Sequence, residues 1–330
     1  MRVLVTGGAG YVGSVVAAEL LAAGHQVSVL DDLSAGHADA VAPGARFVHG
    51  SIAEADAVLA EDGIEAVLHF AAKSLVAESV AAPQIYWANN VTGSLALLEA
   101  MRRNGVRRIG FSSTAATYGE PESVPITESA PARPINPYGA SKLAVDQMLA
   151  GYAQAFGFAA VSLRYFNVAG ALIRPGLAVG ERHAVETHLI PIALDVAAGI
   201  RPSLQLNGTD YPTPDGSCVR DYIHVLDLAD AHLRALDWTA GHNSHNSHNG
   251  HLLCNLGSGD GSSVREVIEA VRQVTGRPTP AVDAPKRPGD PAVLVASNAR
   301  ARSELGWQPR RGLTEMVADA WAFSQRDNRG

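Results

Sequence analysis

The sequence predicts an α/β fold, a doubly wound parallel sheet joined to a smaller mixed α/β domain. Through the first half of the 330 residues, apolar runs of strand length alternate with helical patterns. That alternation marks a parallel sheet with helices on both faces. The first run also leads directly into glycines spaced for a phosphate-binding turn, and the second ends in acidic residues.

Val3-Leu4-Val5 reads as a buried strand and is followed by Gly7-x-x-Gly10-x-x-Gly13, then by a helical pattern that Gly24 closes. Glycines there permit a tight turn and let the backbone approach a pyrophosphate at the positive end of a helix. Gly7, Gly10, Tyr11 and Val12 are the expected cofactor contacts. The second run, 26–30, ends in Asp31-Asp32, at the distance where a carboxylate meets the ribose hydroxyls of a dinucleotide. A carboxylate there repels a 2′-phosphate and no Arg follows closely, so NAD is expected over NADP.

Further strands are expected at 46–49, 66–70, 108–112 and 159–165. Ligands bind beyond the carboxyl ends of such strands. This places 6–13, Asp31, Phe70-Ala71-Ala72, Ser112-Ser113-Thr114 and Tyr165-Phe166-Asn167 along one edge. Residues 1–168 therefore read as a Rossmann-type NAD-binding domain. Beyond Asn167, prolines, glycines and irregular stretches surround a helix at about 187–198. A strand at 219–225 and a helix through Leu236 suggest that the chain returns to the main domain at about 217–240. Residues 169–216 and 252–330 then form the substrate-binding domain.

Tyr138 and Lys142 lie four residues apart, on one face of a helix. A phenol with a pKa of roughly 10 is a poor base near neutrality. A neighbouring ammonium favours the phenolate, so the pair is suited to taking a proton from an alcohol.

Hydrophobic residues make up 47% of the chain and charged ones 18%, the composition of a globular enzyme with a large core. A formal charge of −7 argues against nucleic-acid binding. Cys218 and Cys254 have no disulfide or zinc spacing. With a strand at the very start and no apolar run of membrane-spanning length, no membrane association and a cytoplasmic location are expected. In 241–251 a histidine recurs every third residue, at His242, His245, His248 and His251. The expectation is a polar loop with no metal role.

With these residues in view, the chain resembles the extended short-chain dehydrogenase/reductase family, among its NAD-dependent sugar-nucleotide epimerases. The likeness rests on the glycine and Tyr-Lys motifs and on Asp31-Asp32-Leu33-Ser34-Ala35-Gly36, His69-Phe70-Ala71-Ala72 and Asn89-Asn90-Val91. Ser112-Ser113-Thr114-Ala115-Ala116-Thr117-Tyr118-Gly119, Arg164-Tyr165-Phe166-Asn167, Val219-Arg220-Asp221-Tyr222 and Arg287-Pro288-Gly289-Asp290 extend it. The resemblance implies epimerisation at C4 of UDP-galactose and UDP-glucose through a 4-keto sugar, with tightly held NAD, in galactose metabolism. It implies Tyr138 as base, Lys142 as its electrostatic partner and Thr114 bridging the phenol and the sugar hydroxyl. Ser51, Ile52, Phe70, Ala71, Ala72, Asn89, Ser112, Tyr165 and Phe166 join the NAD contacts. Asn167, Leu189, Arg220, Arg287 and Asp290 fall to the UDP-sugar, the two arginines as a diphosphate clamp. Helices over 89–101 and 137–152 are expected to pair across a two-fold axis, giving a homodimer.

The departures are informative. Ala115 and Ala116 stand where related 4,6-dehydratases carry an acidic pair, so dehydration is not expected. Ser51 replaces an aspartate, Asn207 an aromatic and His188 an asparagine, while Leu294 bounds the sugar pocket and suggests plain over N-acetylated hexoses. Two alternatives stay open. One is a related decarboxylase or an epimerase of UDP-N-acetylhexosamines, pentoses or uronates. The other, more remote, is a non-catalytic NAD-sensing regulator; such proteins lose the tyrosine or the lysine, and this chain keeps both.

Overall fold

The computed structural model describes residues 1–61, 63–242, 250–287 and 290–327. Seven strands form its main sheet: β1 (Arg2–Thr6), β2 (Gln26–Asp31), β3 (Arg46–His49), β4 (Ala66–His69), β5 (Arg108–Thr114), β6 (Ala159–Tyr165) and β7 (His251–Leu256). All neighbours run parallel, in the order β7-β6-β5-β4-β1-β2-β3. The order reverses between β1 and β4, which opens a crevice at the carboxyl ends of the central strands.

Strand β1 shows why the sheet is covered on both sides. Val3 and Val5 join Val27, Val29 and Leu68 in a core with Val15, Val16 and Leu20 of the helix Tyr11–Ala22 and Val225 and Ala229 of the helix Val225–His242. Leu4 faces the other way, into a core with Val67, Phe111, Leu97, Met101, Val145 and Leu149. Successive strand residues point to opposite faces, so an unbroken apolar run needs a helix layer on each.

The smaller region has a core of its own, built from the helices Leu189–Ala197 and Val264–Thr275 together with Met316 and Val317 of the helix Leu313–Asp327. Two short strands, Val219–Arg220 and Val293–Leu294, pair in parallel and set Arg220 beside Leu294. The single strand expected over 219–225 is thus two, Val219–Arg220 and Tyr222–His224. The break is at Asp221, whose buried carboxylate accepts N–H groups from Ser258, Gly259 and Ala296. Burial pushes that carboxyl up, against the pull of these hydrogen bonds.

The expected boundary at 252 falls inside β7, which pairs with β6 along its whole length and so belongs to the main sheet. The histidine-rich segment is likewise claimed at both ends. His242 ends the helix Val225–His242 and stacks on Trp238, while His251 opens β7 and bonds Ser162 Oγ at 2.9 Å. Its residues 243–249 lie outside the described residues, as do Pro288 and Gly289 of the resembled motif. Among the described residues, no helix is long and apolar enough to cross a membrane.

The long helix Pro137–Phe156 carries Tyr138 and Lys142. Asn136 starts it by accepting the Gly139 N–H at 2.8 Å, and Pro137 occupies the first turn, where its missing N–H costs nothing. Gly139 is there for closeness: a Cβ would collide with the Ala116 carbonyl oxygen. Gly139→Ala should therefore destabilise the protein by about 1–3 kcal/mol, the usual cost of overpacking. Urea unfolding checks this, and an unchanged midpoint would show that the helix can back away freely.

Candidate active site

One cleft of about 1100 Å³ runs from the end of β2 across the sheet to the smaller region. Pockets for one drug-sized ligand span about 300–1,000 Å³, so this one has room for more than a single small molecule. Every residue assigned a cofactor or substrate role from the sequence lines it.

At the cofactor end, Gly7 has φ +74°, and a Cβ there would sit 2.5 Å from the Ala71 nitrogen. The turn after β1 is thereby seated on the turn after β4. The helix Tyr11–Ala22 begins at Gly10, which supplies no capping side chain, so its first N–H groups remain available to an anion. Asp31 ends β2 with its carboxylate accepting the Ala9 N–H at 3.0 Å and the Leu33 N–H at 2.8 Å. Asp32 accepts the Ser34 N–H at 2.9 Å; burial alone would raise its carboxyl, but that contact, Lys73 and His49 hold it below the usual range. Ser51 caps the short turn Ile52–Glu54, accepting the Ala53 N–H at 3.3 Å. Asn89 lies in a π-helical turn, Trp87–Thr92, where its neighbour Asn90 accepts the Lys73 N–H at 2.8 Å and donates to the Lys73 carbonyl at 3.0 Å. Tyr11 donates its hydroxyl to the Gly170 carbonyl at 2.7 Å, tying the first helix to the chain beyond β6.

At the centre, Lys142 is buried and donates to the Ser112 carbonyl at 2.8 Å, with its Nζ 4.9 Å from the Phe111 ring centre. Burial lowers it to about 7, and the Asp146 carboxylate one turn along opposes that shift. His69 bridges Thr6 Oγ1 and Ser94 Oγ at 2.7 and 2.8 Å. Burial and the nearby Lys142 take His69 down to about 3, so it stays neutral. Tyr138 departs from the sequence expectation of a lowered phenol. Its burial raises it, and the hydrogen bond from Thr114 pulls the other way without prevailing. The cause is that the same surroundings desolvate phenol and ammonium alike, while Lys142 is directed at Ser112. Thr114 Oγ1 also accepts the Ala116 N–H at 3.2 Å, and Ala115 and Ala116 line the cleft with no carboxylate. Beside them Tyr165 and Ser112 share a short hydrogen bond between their hydroxyls.

At the far end, Arg220 is held by an ion pair with Asp290, while Arg287 is exposed on the rim. Two residues with distinct sequence-based roles are thus partners. Asn167 anchors its strand through its N–H to the Asp221 carbonyl at 2.9 Å, and Leu189 begins the helix Leu189–Ala197. Leu294 and Asn207 also line the cleft.

Sequence reasoning missed a network along this wall. Glu181 accepts from His183 at 3.1 Å and from His188 at 2.7 Å, and Glu186 meets His188 at 3.1 Å. The signal was present as Glu-x-His twice, at 181–183 and 186–188. The four donor atoms lie within 4.8 Å of one another and are joined by these contacts. Burial alone would lower His188, yet Glu181 and Glu186 push it up to about 10.

A glycine turn under an uncapped helix, acids ending the second strand, and a tyrosine–lysine helix beside a threonine define a dinucleotide-dependent short-chain dehydrogenase/reductase. Residues 3–249 match the NAD dependent epimerase/dehydratase family. A UDP-glucose 4-epimerase of Streptomyces lividans is 56% identical over 336 residues, covering 100% of this chain and 98% of the relative. The chain belongs to that family, within its UDP-glucose 4-epimerase group. Among solved structures, the Stenotrophomonas maltophila UDP-glucose-4-epimerase with bound NAD and formylated UDP-arabinopyranose superposes with a TM-score of 0.94, at 40% identity, covering 100% of this chain and 99% of that one. The Bifidobacterium longum UDP-glucose 4-epimerase in complex with NAD+ and UDP gives 0.90 at 37% identity, covering 100% of both chains.

The His188 network has a pH signature. Because His188 is raised above its unfolded value of about 6.5, its contribution to stability is full below that pH and is lost as pH climbs through about 10. The difference in thermal midpoint between wild type and His188→Asn should therefore be largest near pH 6 and shrink toward pH 10. A difference independent of pH would remove the imidazolium from the account.

Proposed function

We propose that the protein interconverts UDP-galactose and UDP-glucose by oxidising and re-reducing C4 of the hexose. The observation that carries this reading is Thr114 hydrogen-bonded to Tyr138 beside the buried Lys142, with alanines where dehydration would need acids. The relatives' names and the NAD, UDP and UDP-sugar bound by the neighbouring structures support it.

The cleft fits NAD: the first turn of the helix Tyr11–Ala22 is uncapped, and a side chain at Gly7 would clash with Ala71. Gly7, Gly10, Tyr11 and Val12 would hold its diphosphate, Asp31 and Asp32 its adenosine ribose, and Ser51 and Ile52 its adenine. Phe70, Ala71, Ala72, Asn89, Ser112, Tyr165 and Phe166 would complete the enclosure. Bound there, NAD supplies the acceptor and donor of the C4 hydride.

Tyr138 takes the proton of the 4-hydroxyl as C4 is oxidised, and Thr114 passes the hydrogen bond between sugar and phenol. Lys142 stabilises the phenolate electrostatically. After the 4-keto sugar turns, Tyr138 returns the proton to the oxygen on the opposite face. Such acid–base help is worth about 10²–10⁴-fold. Arg220 and Arg287 hold the diphosphate, with Asn167 and Leu189 beside it and Asp290 toward the uridine ribose. On binding, Arg220 shares its guanidinium between Asp290 and phosphate. Leu294 bounds the sugar, favouring plain hexoses.

Two outer properties belong to the same reading. Leu95, on the first of the helices expected to pair, is 43% exposed, and Trp87 and Phe156, just beyond the two expected ranges, are 44% and 39% exposed, an apolar surface that supports a homodimer. A cytoplasmic site of action fits a substrate of this class. The domain division follows the ligands, NAD on the main sheet and the UDP-sugar between it and the smaller region.

Purified protein given UDP-galactose should form UDP-glucose with no net consumption of NAD. Tyr138→Phe should keep NAD and UDP binding and lose about 10²-fold or more in turnover. Accumulation of a 4-keto-6-deoxy sugar, or near-normal turnover in the variant, would refute the assignment.

A further inference from the structure

One helical turn beyond Lys142 lies a buried charge that the scheme above leaves unused. Asp146 shares a helix face with Lys142, and its side chain is 4% exposed. Oδ2 accepts from Arg164 Nε at 3.0 Å, from the Arg164 terminal nitrogen at 2.8 Å and from Ser113 Oγ at 3.1 Å. Oδ1 is buried with no hydrogen-bond partner among the described residues. A pair placed only for stability would be a poor choice, since apolar replacements of buried ion pairs are often neutral or stabilising. Its position suggests another use.

The groups around Lys142 narrow that use. Tyr138 and Asp146 come from its own helix, neutral His69 from β4, and the Ser112 carbonyl and Phe111 ring from β5. Arg164 and Tyr165 come from β6, and His251 of β7 faces the Asp146–Arg164 pair. Asp146 is the only carboxylate among them. Its hydrogen bond to Ser113 also grips the residue between Ser112, whose carbonyl receives the ammonium, and Thr114.

We propose that Asp146 is a positioning residue of the reaction, keeping Lys142 in its ammonium state and holding Thr114 in register through one buried carboxylate. Arg164 orients that carboxylate, and the unpartnered Oδ1 leaves part of its charge uncompensated for Lys142. This rests on the proton chemistry assigned to Tyr138 and Lys142, but it has a readout that does not depend on turnover.

The chain has three lysines, Lys73, Lys142 and Lys286. Full-length protein labelled at lysine ¹³Cε should therefore give three signals, with Lys142→Arg identifying one. In Asp146→Asn the Lys142 midpoint should fall by about one unit or more, which lowers the ammonium population above the midpoint about 10-fold. Turnover should fall with it while KM changes little, and Asp146→Glu should restore both. Because Asn would leave Arg164 unpaired, the double variant Asp146→Asn, Arg164→Gln is the control for folding, and its Lys142 midpoint should fall as well. A Lys142 midpoint that stays in place in either folded variant, with only the thermal midpoint reduced, would overturn the proposal. Absence of epimerase activity in the wild type would refute the functional reading and leave this titration to be judged separately.

Discussion

A single ammonium, buried between the sheet and the long helix, constrains most of what surrounds it. Lys142 is 3% exposed, and an uncompensated buried charge costs several kcal/mol by order of magnitude. The Ser112 carbonyl, the Phe111 ring and the Asp146 carboxylate each reduce that cost from a different side. His69 contributes by remaining uncharged, its two nitrogens occupied by Thr6 and Ser94 so that no second cation arises nearby.

The two ends of the cleft are built differently. Tyr138, Lys142 and Thr114 sit on a regular helix and a central strand, whose positions are set by the core that Ile109, Phe111, Val145 and Leu149 share. The expected substrate contacts sit on short strands and on segments joined by side-chain ion pairs, such as Arg220 with Asp290. Proton transfer tolerates misplacement poorly, whereas a flexible diphosphate can be met by adjustable side chains.

Legibility in the sequence followed how local each feature is. The glycine turn, the acids ending β2 and the tyrosine–lysine pair lie within short stretches, so spacing reveals them. Ala115 and Ala116 were readable for the same reason. The return of β7 to β6 was not, because it depends on the pairing of His251 with Ala160 across an intervening region. The Arg164–Asp146 pair joins a strand to a helix, and neither residue type at its position signals burial. Burial raises the Tyr138 phenol, an effect the sequence does not display, since proximity to a lysine is visible there while shared desolvation is not.

The late strand β7 also bears on synthesis. When Tyr165 leaves the ribosome, β6 has its partner β5 on one side and nothing on the other, because its second neighbour starts at His251. The face formed by Val3, Val5, Val27 and Val29, already packed on the helix Tyr11–Ala22, still lacks its second helix, Val225–His242. At roughly 5–20 residues per second, the nascent chain spends several seconds with an open edge and a half-covered apolar face. Exposed strand edges invite pairing with other chains. Growth of this chain therefore includes a window in which a chaperone would find a binding surface that the finished molecule no longer offers.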